Sequence, residues 1–313
     1  MRSQASSGPL DLRKVVILSC LAAAFLVSNQ LSGLSPVRIP GSWKQAGTQN
    51  PVRDTTVPRF SPRVGQTLIY GLRSRMNCEG QSFLGKSLAL SALADGEIDV
   101  FIRQATKEDV FAELTSPGIR IFLRTPGGQD EFTLENSPDS PVRVVFDKAS
   151  RIREIKNTEA LEEQNPMNFS ILEVLRCYWP SLPDRPIAAG ETWKDHKRLE
   201  IPFQQMSLNV ELEIAYTLDA VVPAPEGQLA LISAAYTATV SGERELEDFR
   251  GSFEGHGNGS GNLYFQVESG YFSEYRLDYV INGEMVIRKA EAKVVEWPFK
   301  LSADASLLLL EWR

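Results

Sequence analysis

The chain has 313 residues and a net charge of −7, from 33 basic and 40 acidic side chains. An acidic chain without a basic stripe is a poor partner for phosphate backbones, which argues against nucleic-acid binding. Two histidines and three cysteines at scattered positions leave little material for a transition-metal site, and no metal or cofactor is expected.

Arg13 and Lys14 precede the apolar run Val15 to Val27, a basic flank and short apolar core of the kind that directs export. The run falls short of the roughly 20 residues of a spanning helix, so residues 1–34 fit either a cleaved signal peptide or a retained signal-anchor. Cys20 lies inside the run, whereas a lipidated cysteine would close it, and it reads as an ordinary residue of that segment. Residues 35–62 carry Pro36, Pro40, Pro51, Pro58 and Pro62 among polar residues and read as a Pro-rich tether. The protein is therefore expected outside the cytoplasm, periplasmic or extracellular, with N-terminal membrane association.

A first β unit is expected over 63–183. It opens at Gly65-Gln66-Thr67-Leu68, and Asp95-Gly96 between apolar runs reads as a two-residue hairpin. Ser116-Pro117-Gly118 reads as a further turn. Val142, Val144 and Phe146 form a strand before the turn at Lys148 to Ser150, after which Ile152 and Ile155 resume. One amphipathic helix is predicted over Asn165 to Trp179, with Pro166 at its first position. Ile171, Val174, Leu175 and Tyr178 share its apolar face, and Pro180 and Pro183 stop it. Glu159, Glu162 and Glu163 ahead of it read as a wet face or loop. Cys78 and Cys177 are free to pair in an exported protein, closing a loop of roughly 100 residues worth about 4–5 kcal/mol on the chain-entropy model. Two separate buried thiols fit the sequence equally well.

A second β unit, 184–313, repeats the plan. Gly190-Glu191-Thr192-Trp193 echoes the earlier opening, and Leu208 to Leu218 alternates cleanly between apolar and polar residues. Pro223 to Gly227 turns into a strand over Leu229 to Val240. Gly251 to Gly261 reads as a flexible hairpin connection, since it lacks the strand-before, helix-after context of a phosphate loop. Leu263 to Val267, a turn at Glu268-Ser269-Gly270, and a strand through Tyr271, Tyr275, Tyr279 and Ile281 echo the Val142–Ile155 passage. His196, in the charged run Lys194-Asp195-His196-Lys197-Arg198, and His256 both read as solvated surface residues. The fold class that follows is mainly β: curved antiparallel sheets in two related half-barrel-like units with one amphipathic helix between them.

No Gly-x-Ser-x-Gly elbow and no paired acid and base stand out, so a non-enzymatic role is expected. The curved meander with a short plugging helix, ending in GNLYFQVESGYFSEYRLDYVI, resembles the periplasmic lipoprotein carriers of the LolA/LolB type. PVRVVFDKASRIREI followed by NPMNFSILEVLRCYW is similar to the strand-then-helix passage in the N-terminal β-barrel of vitellogenin-like lipid-transfer proteins. These resemblances imply an apolar concave face that holds a lipid or other apolar molecule. On this chain Ile171, Val174, Leu175, Tyr178, Phe265, Tyr271, Tyr275 and Tyr279 are the candidate lining read from the apolar stripes, and ordinary core packing of the aromatic set against the helix is the more frequent outcome for such a stripe. The alternative is a cell-envelope structural module whose sheet face docks another envelope protein, with no small ligand.

Overall fold

Apolar residues at every second position of Leu208–Leu218 share one side only if the backbone is extended, and the same pattern recurs along the chain. The structure, a computed structural model, describes residues 56–81, 87–125, 128–164, 176, 179–203, 206–246, 249–289 and 292–313. They form β1 (Thr67–Gln81), β2 (Ser87–Ala105), β3 (Asp109–Thr125), β4 (Gly128–Asn136), β5 (Val142–Asp147) and β6 (Ile152–Lys156). After a short helix come β7 (Thr192–Phe203), β8 (Met206–Ala224), β9 (Gly227–Leu246), β10 (Phe249–Gln266), β11 (Tyr271–Lys289) and β12 (Ala292–Trp312). The helix, α1 (Glu159–Gln164), buries none of its side chains, so Glu159, Glu162 and Glu163 lie on a wet face as the sequence implies. The predicted helix over Asn165–Trp179 lies outside the described residues except at Arg176 and Trp179.

All twelve strands belong to one curved antiparallel sheet, ordered β6-β5-β3-β2-β1-β12-β11-β10-β9-β8-β7, with β4 paired to β3 beside this path. The two halves of the chain meet where β1 pairs with β12, from Leu68↔Trp312 to Gly80↔Phe299. The sequence neighbours β6 and β7 fall at opposite ends of the path. Each half opens on the same turn. Gly65 and Gly190 both take left-handed backbone, with φ of 83° and 86°. Gly65 N–H donates to Ile102 O and Gln66 O accepts from Ile102 N–H, while Gly190 N–H donates to Leu218 O and Glu191 O accepts from Leu218 N–H. The sequence echo between the two openings therefore corresponds to one repeated hydrogen-bond pattern.

Three expected loops are strand interiors. Asp95-Gly96 lies in mid-β2 and Ser116-Pro117-Gly118 in mid-β3. Gly96 is there because the facing strand comes too close for a side chain: a Cβ would collide with the Gly118 carbonyl and Ile119 Cα. At Ser116–Gly118 β3 changes partner, pairing with β5 from Asp109 to Leu114 and with β4 from Ser116 to Thr125. Asn136 spans the fork, its amide donating to Leu114 O at 2.9 Å and its Oδ1 accepting from Ser116 N–H at 2.9 Å. Pro117 is tolerated because the ladder is already interrupted at this point.

The third expected loop, Gly251–Gly261, lies within β10, between β9 and β11. Gly255, Gly257, Gly259 and Gly261 alternate with the exposed His256, Asn258, Ser260 and Asn262, so the glycines share the inner face with Phe253, Leu263 and Phe265. A Cβ on Gly257 or Gly259 would collide with the Val280 or Asp278 carbonyl of β11 and with the Ile281 or Tyr279 side chain. At roughly 3.3 Å per residue an 18-residue strand is too long to stay flat around a single core, and the glycine strip is where β10 and β11 bend together.

The core is one cluster along the inner face of the sheet. The last residues of the Pro-rich segment belong to it: Thr56 bridges to Ile187, Phe60 N–H donates to Lys148 O, and Phe60 is fully buried. Cys78 is buried opposite Leu301 and Leu90. Its suggested partner Cys177 lies outside the described residues.

Gly259→Val is expected to destabilise the fold by about 3 kcal/mol or more, because the Asp278 carbonyl and the Tyr279 Cβ, which is fixed to its backbone, cannot swing aside. His256→Val on the exposed face of the same strand should stay within about 0.5 kcal/mol. Urea unfolding followed by far-ultraviolet circular dichroism measures both.

Candidate functional site

Inner-face residues of adjacent strands stand side by side, and glycine on one strand lets rings on its two neighbours meet across it. Tyr236 of β9 and Tyr275 of β11 flank β10, and their hydroxyls lie 3.0 Å apart over Gly261. Phe253 of β10 and Phe299 of β12 stack at 4.6 Å between centroids, with the Phe299 ring lying over Gly283. Burial pushes the Tyr236 and Tyr216 phenols well above their ordinary range, so both stay neutral donors.

Of the expected lining residues, Tyr275 and Tyr279 point to this face and are buried. Phe265 lies on it too, edge-on to Phe272 at 5.1 Å. Tyr271 is buried in the same core cluster, beyond a register shift between Tyr264 and Phe265: it pairs with Gln266, leaving Phe272 opposite Phe265. The Tyr271 hydroxyl donates to Glu226 Oε2 at 2.8 Å, at the β8–β9 turn, and its pKa is pushed up to about 12 by burial and then by that carboxylate. Ile171, Val174, Leu175 and Tyr178 lie outside the described residues. The sequence reading passed over Tyr236, Phe253 and Phe299. Phe253 was hidden by the glycines around it, although the alternate spacing of those glycines is itself a strand signal.

Trp179 to Ile187 cover one end of this face. The Trp179 ring packs on Phe146 (4.8 Å), Phe60 (6.0 Å) and Tyr70 (6.4 Å), and its Nε1–H donates to Ser150 Oγ at 2.6 Å. Leu182 N–H donates to Ala149 O, Ser181 Oγ to Asp195 Oδ2 at 2.6 Å, and the Trp193 Nε1–H to Ser181 O at 3.1 Å. This segment therefore ties the β5–β6 turn to β7, across the two ends of the sheet path.

A cleft of about 240 Å³ opens along that seam, lined by residues of β6, β7 and the covering segment. Asp195 and Lys197 alternate with His196 and Arg198, so they share the face of Trp193 and turn toward the interior. Lys197 Nζ lies 4.0 Å from Asp195 Oδ2 and donates to the Trp179 carbonyl at 2.5 Å and the Arg176 carbonyl at 3.1 Å. Arg151 pairs with Asp184 at 2.5 Å, and Arg198 with Glu211 at 3.0 Å. His196 and His256 are both exposed on the opposite face. Among the described residues no group of three or more His, Cys, Asp or Glu side chains could hold a metal ion, and no helix is long and apolar enough to cross a membrane.

One carboxyl on the outer face is unusual. Asp304 of β12 is 7 % exposed, and its Oδ1 is buried without a hydrogen-bond partner. It lies between Asp278 of β11 and Arg75 of β1 in direct register. Burial, then the Asp278 charge, raise its pKa to about 7 against the pull of Arg75 and Arg73.

No family model matches the chain, and no curated protein matches it. Among solved structures, a Bacteroides fragilis protein of YmcC-like fold, assigned as exported, aligns over 82 % of this chain and 99 % of its own at 8 % identity. Its TM-score of 0.19 is too low for that likeness to carry weight on fold or function.

The raised carboxyl pKa has a definite consequence for stability. A folded pKa above the unfolded one means that the folded state holds the extra proton, so Asp304 weakens the fold as pH rises from about 4 to about 7 and adds no further slope above that. Asp304→Asn should flatten this part of the stability–pH curve and raise the urea midpoint at pH 8. An unchanged slope in the variant would place the titration elsewhere.

Proposed function

We propose that the protein is an exported, non-enzymatic binder of a lipid or other apolar molecule, a carrier or acceptor in the cell envelope. The observation that carries this reading is the single apolar face that runs unbroken across the path from Val144 of β5 to Tyr216 of β8, in one sheet of twelve strands. Phe60, Trp179 and Leu182 pack over one end of that face. Long apolar strands paired edge to edge suit an extended acyl chain, which needs area and dryness but few polar contacts. Export is supported by the basic flank and apolar run before Val27, which lie outside the described residues.

Native mass spectrometry of the full chain, purified gently in amphipol, is expected to show a co-purifying amphiphile. The same preparation should take up a fluorescent fatty acid that unlabelled lipid displaces. Replicate preparations without bound amphiphile and without uptake would refute the reading. A protein partner then recovered by crosslinking in the envelope would favour a docking module instead.

A further inference from the structure

The outer face of β9 to β12 is polar along its middle and changes character at one end. One row across these strands reads Ser233, Asn262, Arg276 and Ser306 in direct register. The next row toward the start of β1 reads Leu231, Tyr264, Glu274 and Leu308. Leu231, Tyr264 and Leu308 alternate with Ile232, Phe265 and Leu307, which face the core cluster, so they turn away from it. Glu274 pairs with Arg276 of the polar row. Leu229 extends the apolar row along β9, and Leu310 lies over Gly71, the β1 partner of Leu308. Beyond a register shift the Trp312 ring stands at the rim, its Nε1–H donating to Glu226 Oε1 at 3.2 Å. Among the described residues, the large apolar side chains exposed by half or more are Val64, Leu310 and Trp312. Val64 is at the same end, in the turn closed by Gln66 N–H donating to Arg63 O, just before Thr67 pairs with Arg313.

The chain also reaches the domain at this end. Ser61 N–H donates to Gly270 O, and the adjoining Tyr271 hydroxyl shares the Glu226 carboxylate with Trp312. Residues 28–55 separate Thr56 from the apolar run Val15–Val27, so at most about 100 Å of chain lies between the two. We propose that the outer band of Leu229, Leu231, Tyr264, Leu308 and Leu310, with Trp312 at its rim, is a membrane-docking surface. It lays this end of the domain against the bilayer into which the N-terminal run inserts. A patch of a few side chains binds lipid weakly by itself, but an inserted run on the same chain holds it at high effective concentration. Tyr and Trp rings suit the head-group zone, and leucines suit the acyl boundary beneath it. The band faces away from the core and docks the domain whatever the inner face binds.

The full chain reconstituted in phosphatidylcholine vesicles, with a reporter ring placed by Leu310→Trp and read as the difference from wild type, tests this. Lipids brominated near the head group should quench the added emission about twofold, with little effect of salt. Thr237→Trp, at an exposed position of β9 well away from the band, should give an added emission that the same lipids leave unchanged. Leu231→Asp with Leu308→Asp should abolish the quenching in the Leu310→Trp chain. Its circular dichroism should stay that of wild type, because both positions are on the wet face. Quenching at neither reporter means that the N-terminal run alone holds the membrane, and overturns the docking surface. Equal quenching at both, or quenching that survives the aspartate pair, overturns it too. An unquenched Leu310→Trp chain whose self-association the aspartate pair abolishes would assign the band to a second copy of the chain instead.

Discussion

Strands of up to 21 residues cannot stay straight and still keep a common face dry, so the sheet has to bend, and close backbone approach between β10 and β11 is what lets it. Four glycines at alternate positions of β10 remove every side chain that would stand between the two strands on the inner side. Their even-numbered neighbours stay polar and exposed. That arrangement lets Tyr236 reach Tyr275, and it has a counterpart at Gly283, which makes room for the Phe299 ring. Inner packing in this half of the protein is a consequence of missing side chains as much as of large ones. Gly96 shows the same logic between β2 and β3.

The second organising feature is the seam. A sheet that does not close leaves an edge at each end, and exposed edges invite pairing with other chains. Here the segment from Trp179 to Ile187 ties the β5–β6 turn to β7, largely through backbone and hydroxyl hydrogen bonds. Asp195 and Lys197, on the inward side of edge strand β7, are the kind of inward charge that blunts an edge. Half-buried charges are tolerated only when their polar atoms are matched, and both are: Lys197 by two carbonyls and Asp195 by the Ser181 hydroxyl. One charged cluster thus guards the edge and gives the seam its electrostatic character.

The alternation of Leu208 to Leu218 was sufficient to specify strand, face and antiparallel class, because a period of two has only one backbone solution. The paired openings at Gly65 and Gly190 were legible for a similar reason: a left-handed residue ahead of a strand calls for glycine. The pairing of β1 with β12, the fork of β3 between β4 and β5, and the bend at the glycine strip were not. Asp95-Gly96 and Gly251–Gly261 carry the local signature of turns, yet Gly96, Gly257 and Gly259 each answer to the facing strand, the next one along the chain and outside the local window. Local chemistry cannot report such a neighbour. Nor could the spacing of Tyr271, Tyr275 and Tyr279 reveal the register shift that separates the first from the other two. Likewise, the run from Lys194 to Arg198 is polar at every position, so its inward and outward sides were told apart only when β7 docked against the covering segment. Periodicity fixed which residues are dry together; the distances that make a cleft, a stack or a raised pKa arise only where strands remote in the chain are brought side by side.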